Sequence, residues 1–175
     1  PKAFREFMSG ILIDILNISE KKKIDDKVLA FREDMKQKPM FDIMFPTGVK
    51  ELKKYKTKKE KGQMFGDRVK GTPVHAKSAL NYNDLMDYYK ITASQPILDG
   101  EKIKWTYLKN NPFGLESCAV KGFEDPEEIL KFITQYIDYD RIFTASLENK
   151  LQGFYDALSY GRIPKNDNMA DFFSF

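Results

Sequence analysis

The residues best suited to chemistry in this sequence are basic, and they gather in one stretch. Between Lys50 and Lys77, ten basic residues stand against three acids, a formal charge of +7 in a chain whose total is only +3. A distribution this uneven is typical of a surface that faces a polyanion. Tyr55, Met64 and Phe65 interleave with the basic residues, and Gly62, Gly66 and Gly71 permit close backbone approach. With these features, nucleic acid or another polyanion and a solvated surface that binds nothing are equally compatible with the stretch.

The same stretch ends where a helix is expected to begin. Thr72 is suited to the N-cap and Pro73 to the first helical position. The N-terminus of a helix carries unpaired N–H groups and a partial positive charge, so it can hold an anion such as phosphate. Because His75 and Lys77 lie in the first turns, the pattern predicts that this segment grips a nucleic-acid backbone.

Other site chemistries lack the residues they need. His75 and Cys118 are each the only residue of their type, so a nucleophilic set, a disulfide framework and a zinc site of Cys and His are all improbable. Asp138 and Asp140 have the spacing of paired metal-binding carboxylates, but Asp138 is more simply a helix cap. There is no phosphate-binding Gly-rich loop followed by Lys and Ser or Thr. The chain alone is therefore expected to have no catalytic activity and no cofactor.

The elements that must position the basic stretch are mainly helices. Apolar residues at three-and-four spacing predict a helix over 4–16 and another over 25–36, the second with Val28, Phe31 and Met35 inward. The helix that begins at Thr72 is expected to extend toward Lys90, and Asn81, Asn83 and Asp84 are residues that could interrupt it. A last helix, capped by Asp138 and stopped by Gly161, should turn a set of apolar residues inward: Ile142, Phe143, Leu147, Leu151, Phe154 and Leu158.

Between these helices the spacing of the apolar residues changes from a helical pattern to one typical of strands. Residues 102–107 alternate polar and apolar, and 117–121 form a second short apolar run, so both are predicted strands. Residues 41–46 are a strand or a buried connection, Thr47 is expected to cap a short helix through Tyr55, and 57–71 are predicted to be an exposed loop. The fold class is therefore predicted as α+β, mainly helical, with a small antiparallel sheet inserted among helices.

The sequence predicts one domain over residues 1–160, followed by a polar linker with an aromatic tail over residues 161–175. The tail holds three Phe in its last four positions, which could fold back onto the core or dock into a pocket on another protein. No apolar run approaches the length of a membrane span, and residues 4–16 do not form a signal peptide. The chain is therefore expected in the cytosol, without a membrane partner. Its start at Pro1 suggests a processed product or a piece of a longer polypeptide.

Several short motifs occur in one order along the chain: His75-Ala-Lys77, Leu80-Asn-Tyr-Asn83, Gly100-Glu-Lys102, Asn111-Pro-Phe-Gly114, Asp138-Tyr139 and Leu151-Gln-Gly-Phe154, followed by the Phe-rich end. This order and spacing resemble the C-terminal region of family B DNA polymerases of T-even-like tailed phages. The resemblance covers essentially the whole chain. It implies a polymerase thumb domain, which wraps around the newly made primer–template duplex and contacts its phosphates and minor groove.

The resemblance also implies partners. The catalytic carboxylates and Mg²⁺ of such an enzyme belong to its palm, so the remainder of the polymerase (fingers, palm and exonuclease) would be a partner of this fragment, in the cytoplasm of an infected bacterial host. The family's last residues bind the sliding clamp, which assigns Met169, Phe172, Phe173 and Phe175 to clamp binding. Together with the charge pattern, it assigns to DNA binding Lys53, Lys54, Lys58, Lys59, Lys70, His75, Lys77, Asn83 and Lys150.

Two other functions are compatible with the residues. One is a protein-interaction module whose Phe-rich tail carries its main function. The other is a stand-alone RNA-binding protein, for which a preference for single strands would be the signature.

Overall fold

A computed structural model describes residues 1–17, 20–56, 63–122 and 124–165. Within these ranges helices predominate and three short strands form one antiparallel sheet, which confirms the predicted fold class. In chain order the elements are α1 (Lys2–Leu16), α2 (Lys21–Asp34), a 3₁₀ turn (Met35–Gln37), α3 (Met40–Ile43), β1 (Phe45–Gly48), α4 (Leu52–Tyr55), α5 (Val74–Tyr88), β2 (Lys102–Tyr107), β3 (Ser117–Val120), α6 (Glu127–Tyr136), α7 (Tyr139–Phe143), a π-helical segment (Thr144–Glu148) and α8 (Asn149–Ala157).

The chain divides into two compact units. The first comprises Pro1–Pro39 and Phe143–Phe175, and the second comprises Met40–Ile142. The boundary predicted at residue 161 separates a domain from a tail, so it is not the boundary between these two units. It stays a prediction, because residues 166–175 lie outside the described ranges.

The second unit is built on the sheet, whose strand order is β1-β2-β3. Phe45 pairs with Trp105 across β1 and β2, and their rings stack with centroids 4.6 Å apart. Pro46 has no N–H to donate, which is tolerated because β1 is an edge strand. Thr47 pairs with Ile103 in this strand, so the prediction that it caps a helix is wrong. The pairing with β2 outweighs its capping tendency, and the helix that comes after it is only α4.

Helix α5 packs against β3 and runs without interruption through its polar positions. These side chains do not compete for the backbone of their own helix, because each has a partner elsewhere. Asn81 donates from Nδ2 to the Ser117 carbonyl at 2.8 Å, and Asn83 bonds to the backbone of Ile97. Asn81, Asn83 and Asp84, which could have interrupted the helix, therefore lie within an unbroken α5.

The first unit joins α1, α2 and α8. Phe7 stacks on Phe31 with ring centroids 4.1 Å apart, and Phe4 meets the same ring edge-on at 5.6 Å. The Tyr155 hydroxyl of α8 donates to Asp25 Oδ1 at 2.6 Å. Burial, and then this hydrogen bond, raise the pKa of Tyr155 above its ordinary value, because both favour the neutral phenol.

The apolar stripe of α1 is narrower than its sequence suggests. Ala3, Phe4 and Ile11 are buried, whereas Leu12 is 36% exposed and Leu16 is 80% exposed. The predicted helix is confirmed, but its last turn presents apolar side chains to solvent within the described residues. By contrast, the predicted inward residues of α2 and its 3₁₀ turn, Val28, Phe31 and Met35, are all buried.

The last helix is helical from Tyr139 to Ala157, but it contains the π-helical segment. Phe143, Leu147 and Leu151 are buried as predicted, yet Tyr155 is buried in place of Phe154. In a regular α-helix each residue turns by ~100°, so position 154 would lie on the same face as 143. A π-helical turn holds about one residue more than an α-helical turn, which passes the inward position from 154 to 155 and leaves Leu158 exposed.

No described helix has both the length and the apolar character needed to cross a membrane.

Candidate nucleic-acid interface

The N-terminus of α5 lies at the end of the basic stretch, and no side chain of the described residues caps it. Helix α5 begins at Val74, and the first bond of its ladder runs from the Lys77 N–H to the Pro73 carbonyl at 2.9 Å. The prediction that Thr72 caps it is wrong, because the Thr72 hydroxyl donates backward to the Val69 carbonyl at 2.6 Å. The first-turn N–H groups therefore have no partner within the helix, which leaves a partial positive charge at this end.

The two predicted side chains of this first turn differ in their surroundings. His75 is half-buried. Lys77 is about one third exposed, and its Nζ lies 3.5 Å from a carboxylate oxygen of Glu116. A partly exposed pair of this kind is weak, so the lysine can exchange its partner for another anion at little cost.

Asn83 lies further along α5, and both polar atoms of its side-chain amide have partners in the fold. Its Nδ2 donates to the Ile97 carbonyl at 3.0 Å, and its Oδ1 accepts from the Ile97 N–H at 2.7 Å. This pair of bonds fixes the segment after α5 to the helix. Asn83 thus has a structural role, and its assignment to DNA binding stays a prediction.

The lysines before the helix are mostly solvent-exposed. Lys54 has Nζ 3.7 Å from Glu51 and 5.6 Å from the centre of the Tyr55 ring. Lys53, Lys56 and Lys70 are exposed and form no ion pair with any described residue. Their positive charge is therefore available to an external anion. Lys58 and Lys59 lie outside the described residues.

Helix α4, which carries Lys53 and Lys54, is short but fixed at its start. Its first N–H, that of Leu52, donates to Asp99 Oδ1 at 2.7 Å. Glu51 precedes it in the left-handed conformation, with φ at 55°. Since Leu52 is also buried, the helical turn that carries the two lysines is fixed to the rest of the unit.

Arg68 is the basic residue whose role the sequence concealed. By sequence it is one more cation of the basic stretch, yet its side chain is only 11% exposed and pairs with Asp84, itself 8% exposed, at 2.7 Å. The same Nη2 donates to Asn81 Oδ1 at 2.8 Å, and Nη1 donates to the Gly66 carbonyl at 2.6 Å. Its buried Nε has no hydrogen-bond partner among the described residues. The sequence does hold one signal for this role. Asn81 and Asp84 lie three residues apart on the core side of α5, and two buried polar side chains there need a partner such as a cation.

The remaining predicted positions lie outside this unit. Lys150 is exposed on α8, in the first unit. The four tail residues assigned to clamp binding, Met169, Phe172, Phe173 and Phe175, fall outside the described residues, so those assignments stay predictions.

The other reactive residues have structural surroundings. Cys118 is fully buried in β3, and burial raises the pKa of its thiol. Asp138 accepts from the Arg141 N–H at 3.0 Å, which confirms it as a helix cap. Throughout the described ranges, no three His, Cys, Asp or Glu side chains lie close enough together to hold a metal ion.

The arrangement can attract and hold an anion: a helix N-terminus that no described side chain caps, two side chains near its start, and exposed lysines before it. These groups would not distinguish one nucleic-acid sequence from another, because lysines and backbone N–H groups bind phosphate and do not contact the bases. No family model matches the chain, and no curated protein is significantly similar to it.

Proposed function

We propose that this chain is the thumb of a DNA-directed DNA polymerase of the family B, T-even-like phage type, and that it grips the backbone of the primer–template duplex. One observation carries the proposal: exposed lysines without ion-pair partners among the described residues precede an uncapped N-terminus of the 15-residue helix α5. The order of the short motifs adds the family. The fragment itself is proposed to be inactive, with the chemistry supplied by the remainder of the enzyme.

The proposed mode of binding is electrostatic. Each lysine that neutralises a phosphate releases condensed counterions, so log affinity falls by about 0.9 per contact for each unit of log salt concentration. Lys53 and Lys70 supply charge without losing an internal pair among the described residues, whereas Lys77 must leave Glu116. The lysines supply affinity and the helix N-terminus supplies orientation toward the backbone.

The test is a fluorescence-anisotropy titration of a labelled primer–template duplex at several salt concentrations, with the 175-residue chain. Replacing Lys53, Lys54, Lys58 and Lys59 by Gln should weaken binding and make the salt slope shallower by as many as four contacts, about 3.6. The matched control removes the same charge elsewhere, at the exposed lysines Lys22, Lys23, Lys36 and Lys131.

The two variants separate local contact from overall charge. If the control weakens binding as much as the basic-stretch variant, only net charge matters and the proposed interface is wrong. A salt slope near zero for the unchanged chain rejects backbone gripping altogether. Tighter binding to single-stranded RNA than to the duplex would instead support an RNA-binding protein.

A second part of the proposal concerns the tail, in which Met169, Phe172, Phe173 and Phe175 dock the sliding clamp. Aromatic side chains at the end of a polar linker suit insertion into an apolar pocket of a partner. Removing residues 169–175 should abolish binding to a T-even-like phage clamp while duplex binding persists. The control replaces Asn166 and Asn168 by Ala, which keeps the aromatic residues. Unchanged clamp binding after the deletion would contradict this part alone.

A further inference from the structure

The second unit contains a cavity of about 360 Å³ between α4, α5 and the segment 91–99. This volume lies at the lower end of the range of roughly 300–1,000 Å³ typical of small-molecule sites. Apolar atoms contribute somewhat more than half of its surface, and its apolar lining residues include Leu52, Leu80, Met86, Ile91 and Ile97. A flat or compact apolar group therefore fits inside it.

The walls of this cavity are held in place by side chains that bond to backbone. Asn83 fixes the wall at Ile97, and Asp99 fixes the wall at Leu52. Arg68 fixes the third wall through its bonds to Asp84 and to the Gly66 carbonyl. Since these walls are irregular segments or a single helical turn, these part-buried polar contacts maintain the space. Because the cavity exists before its ligand arrives, binding loses no free energy to forming it.

The charged groups around the cavity indicate what kind of ligand it suits. Lys53 and Lys56 line it and form no ion pair with a described residue, and Arg68 lines it with its Nε lacking a hydrogen-bond partner in the described part of the chain. Three acids also line it, so the formal charge of its lining, taken over the described residues, is zero, and a bare anion has no advantage there.

The acids narrow the class of ligand further. Asp99 uses Oδ1 to accept from the Leu52 N–H, and a carboxylate can accept more than one hydrogen bond. Carboxylates beside an apolar space suit the N–H donors of a flat ring, while the two lysines suit a phosphate on the same molecule. A nucleotide combines the three features: an apolar ring face, N–H donors at the ring edge and an anionic phosphate.

We infer that this cavity binds a single nucleotide unit, either free or at an unpaired end of a nucleic acid. Its base occupies the apolar space beside Leu80 and Ile97, and its phosphate lies at Lys53 and Lys56. Bases with an exocyclic amino group are preferred over thymine, because the amino group adds two N–H donors at the ring edge, where thymine has only the N–H at N3. The inference stands on the cavity and does not depend on duplex gripping.

The experiment follows the methyl signals of Leu52, Leu80 and Met86 by NMR while adenosine 5′-monophosphate is added to the 175-residue chain. Adenosine, inorganic phosphate and thymidine 5′-monophosphate serve as comparison ligands, and a short single-stranded oligonucleotide tests the unpaired end. Replacing Lys53 and Lys56 by Gln should weaken binding of the monophosphate about tenfold and leave binding of adenosine unchanged. The matched control replaces two exposed lysines that do not line the cavity, Lys50 and Lys102.

The possible outcomes support or overturn the inference without overlap. Saturable shifts with the monophosphate, weaker shifts with adenosine and little effect of inorganic phosphate support it. Absence of shifts at millimolar ligand, equal weakening by the control variant, or equal shifts from inorganic phosphate overturn it. Duplex binding is measured separately by anisotropy, so loss of one activity is distinguishable from loss of the other.

Discussion

The buried pair of Arg68 and Asp84 makes a quantitative prediction about the second unit. Their side chains are 11% and 8% exposed, so solvent screens them little. Replacing Asp84 by Leu leaves a buried guanidinium whose Nε has no described partner and whose remaining acceptors are Asn81 and the Gly66 carbonyl. Breaking a buried pair in this way costs about 3–5 kcal/mol.

The single tryptophan, Trp105, lies in β2 and reports unfolding of this unit. With a urea dependence of about 2 kcal/mol per molar, the midpoint of the fluorescence transition should fall by roughly 2 M in Asp84→Leu. The double variant Arg68→Met/Asp84→Leu removes the uncompensated charge as well, so it should be more stable than Asp84→Leu alone. The control Glu116→Gln breaks a partly exposed pair and should cost less than about 1 kcal/mol.

Two results would refute this reasoning. A loss below about 1 kcal/mol in Asp84→Leu would mean that the guanidinium finds water or another acceptor. Strict additivity of the Arg68 and Asp84 substitutions would mean that the two side chains are not energetically coupled.

Three further predictions concern single side chains. Asn83→Ala removes both bonds to Ile97 and should cost roughly 1–3 kcal/mol by urea unfolding, with no loss if water replaces the amide. Burial, and then the hydrogen bond from its hydroxyl to Asp125, raise the pKa of Tyr82, so its contribution to stability is complete below about pH 10 and falls above it by ~1.4 kcal/mol per pH unit, because the unfolded state releases the proton first. Tyr82→Phe should therefore make the slope in alkaline melts shallower by that amount, while Cys118 and Tyr155, whose pKa values are also raised, keep their own contributions. Tyr155→Phe removes the hydroxyl that donates to Asp25, so it should lower the stability of the first unit by about 1.5–3 kcal/mol, measured by thermal unfolding with circular dichroism. An unchanged melting temperature would mean that this hydrogen bond makes no net contribution to stability.

Local patterns predicted most of the elements of this fold. The alternation of 102–107 matches β2, and the apolar spacing of α2 marks the side chains that are buried. These features depend on residues close in sequence, which a period can reveal. Thr47 and Thr72 were misassigned because their conformations depend on partners that the pattern does not show: the pairing of β1 with β2, and the turn at Val69.

The candidate site was predicted less completely. Sequence could place His75 and Lys77 at a helix start, since that depends on local signals. It could not distinguish the buried Arg68 from the exposed Lys70, because both are cations in a polar stretch. Nor could it show that Asn83 bonds to the backbone of Ile97, since this partner lies beyond the end of the helix.

The π-helical segment Thr144–Glu148 has a consequence for insertions and deletions. The extra residue of a π-helical turn can be lost without turning the helix that comes after it, because a one-residue deletion within the segment restores regular α-helix and places Tyr155 on the same face as Phe143. Leu151 and Tyr155, both fully buried, would then keep their inward positions. Related sequences should therefore tolerate a one-residue deletion in this segment, whereas a deletion in the regular turns of α8 would rotate the residues beyond it by ~100°.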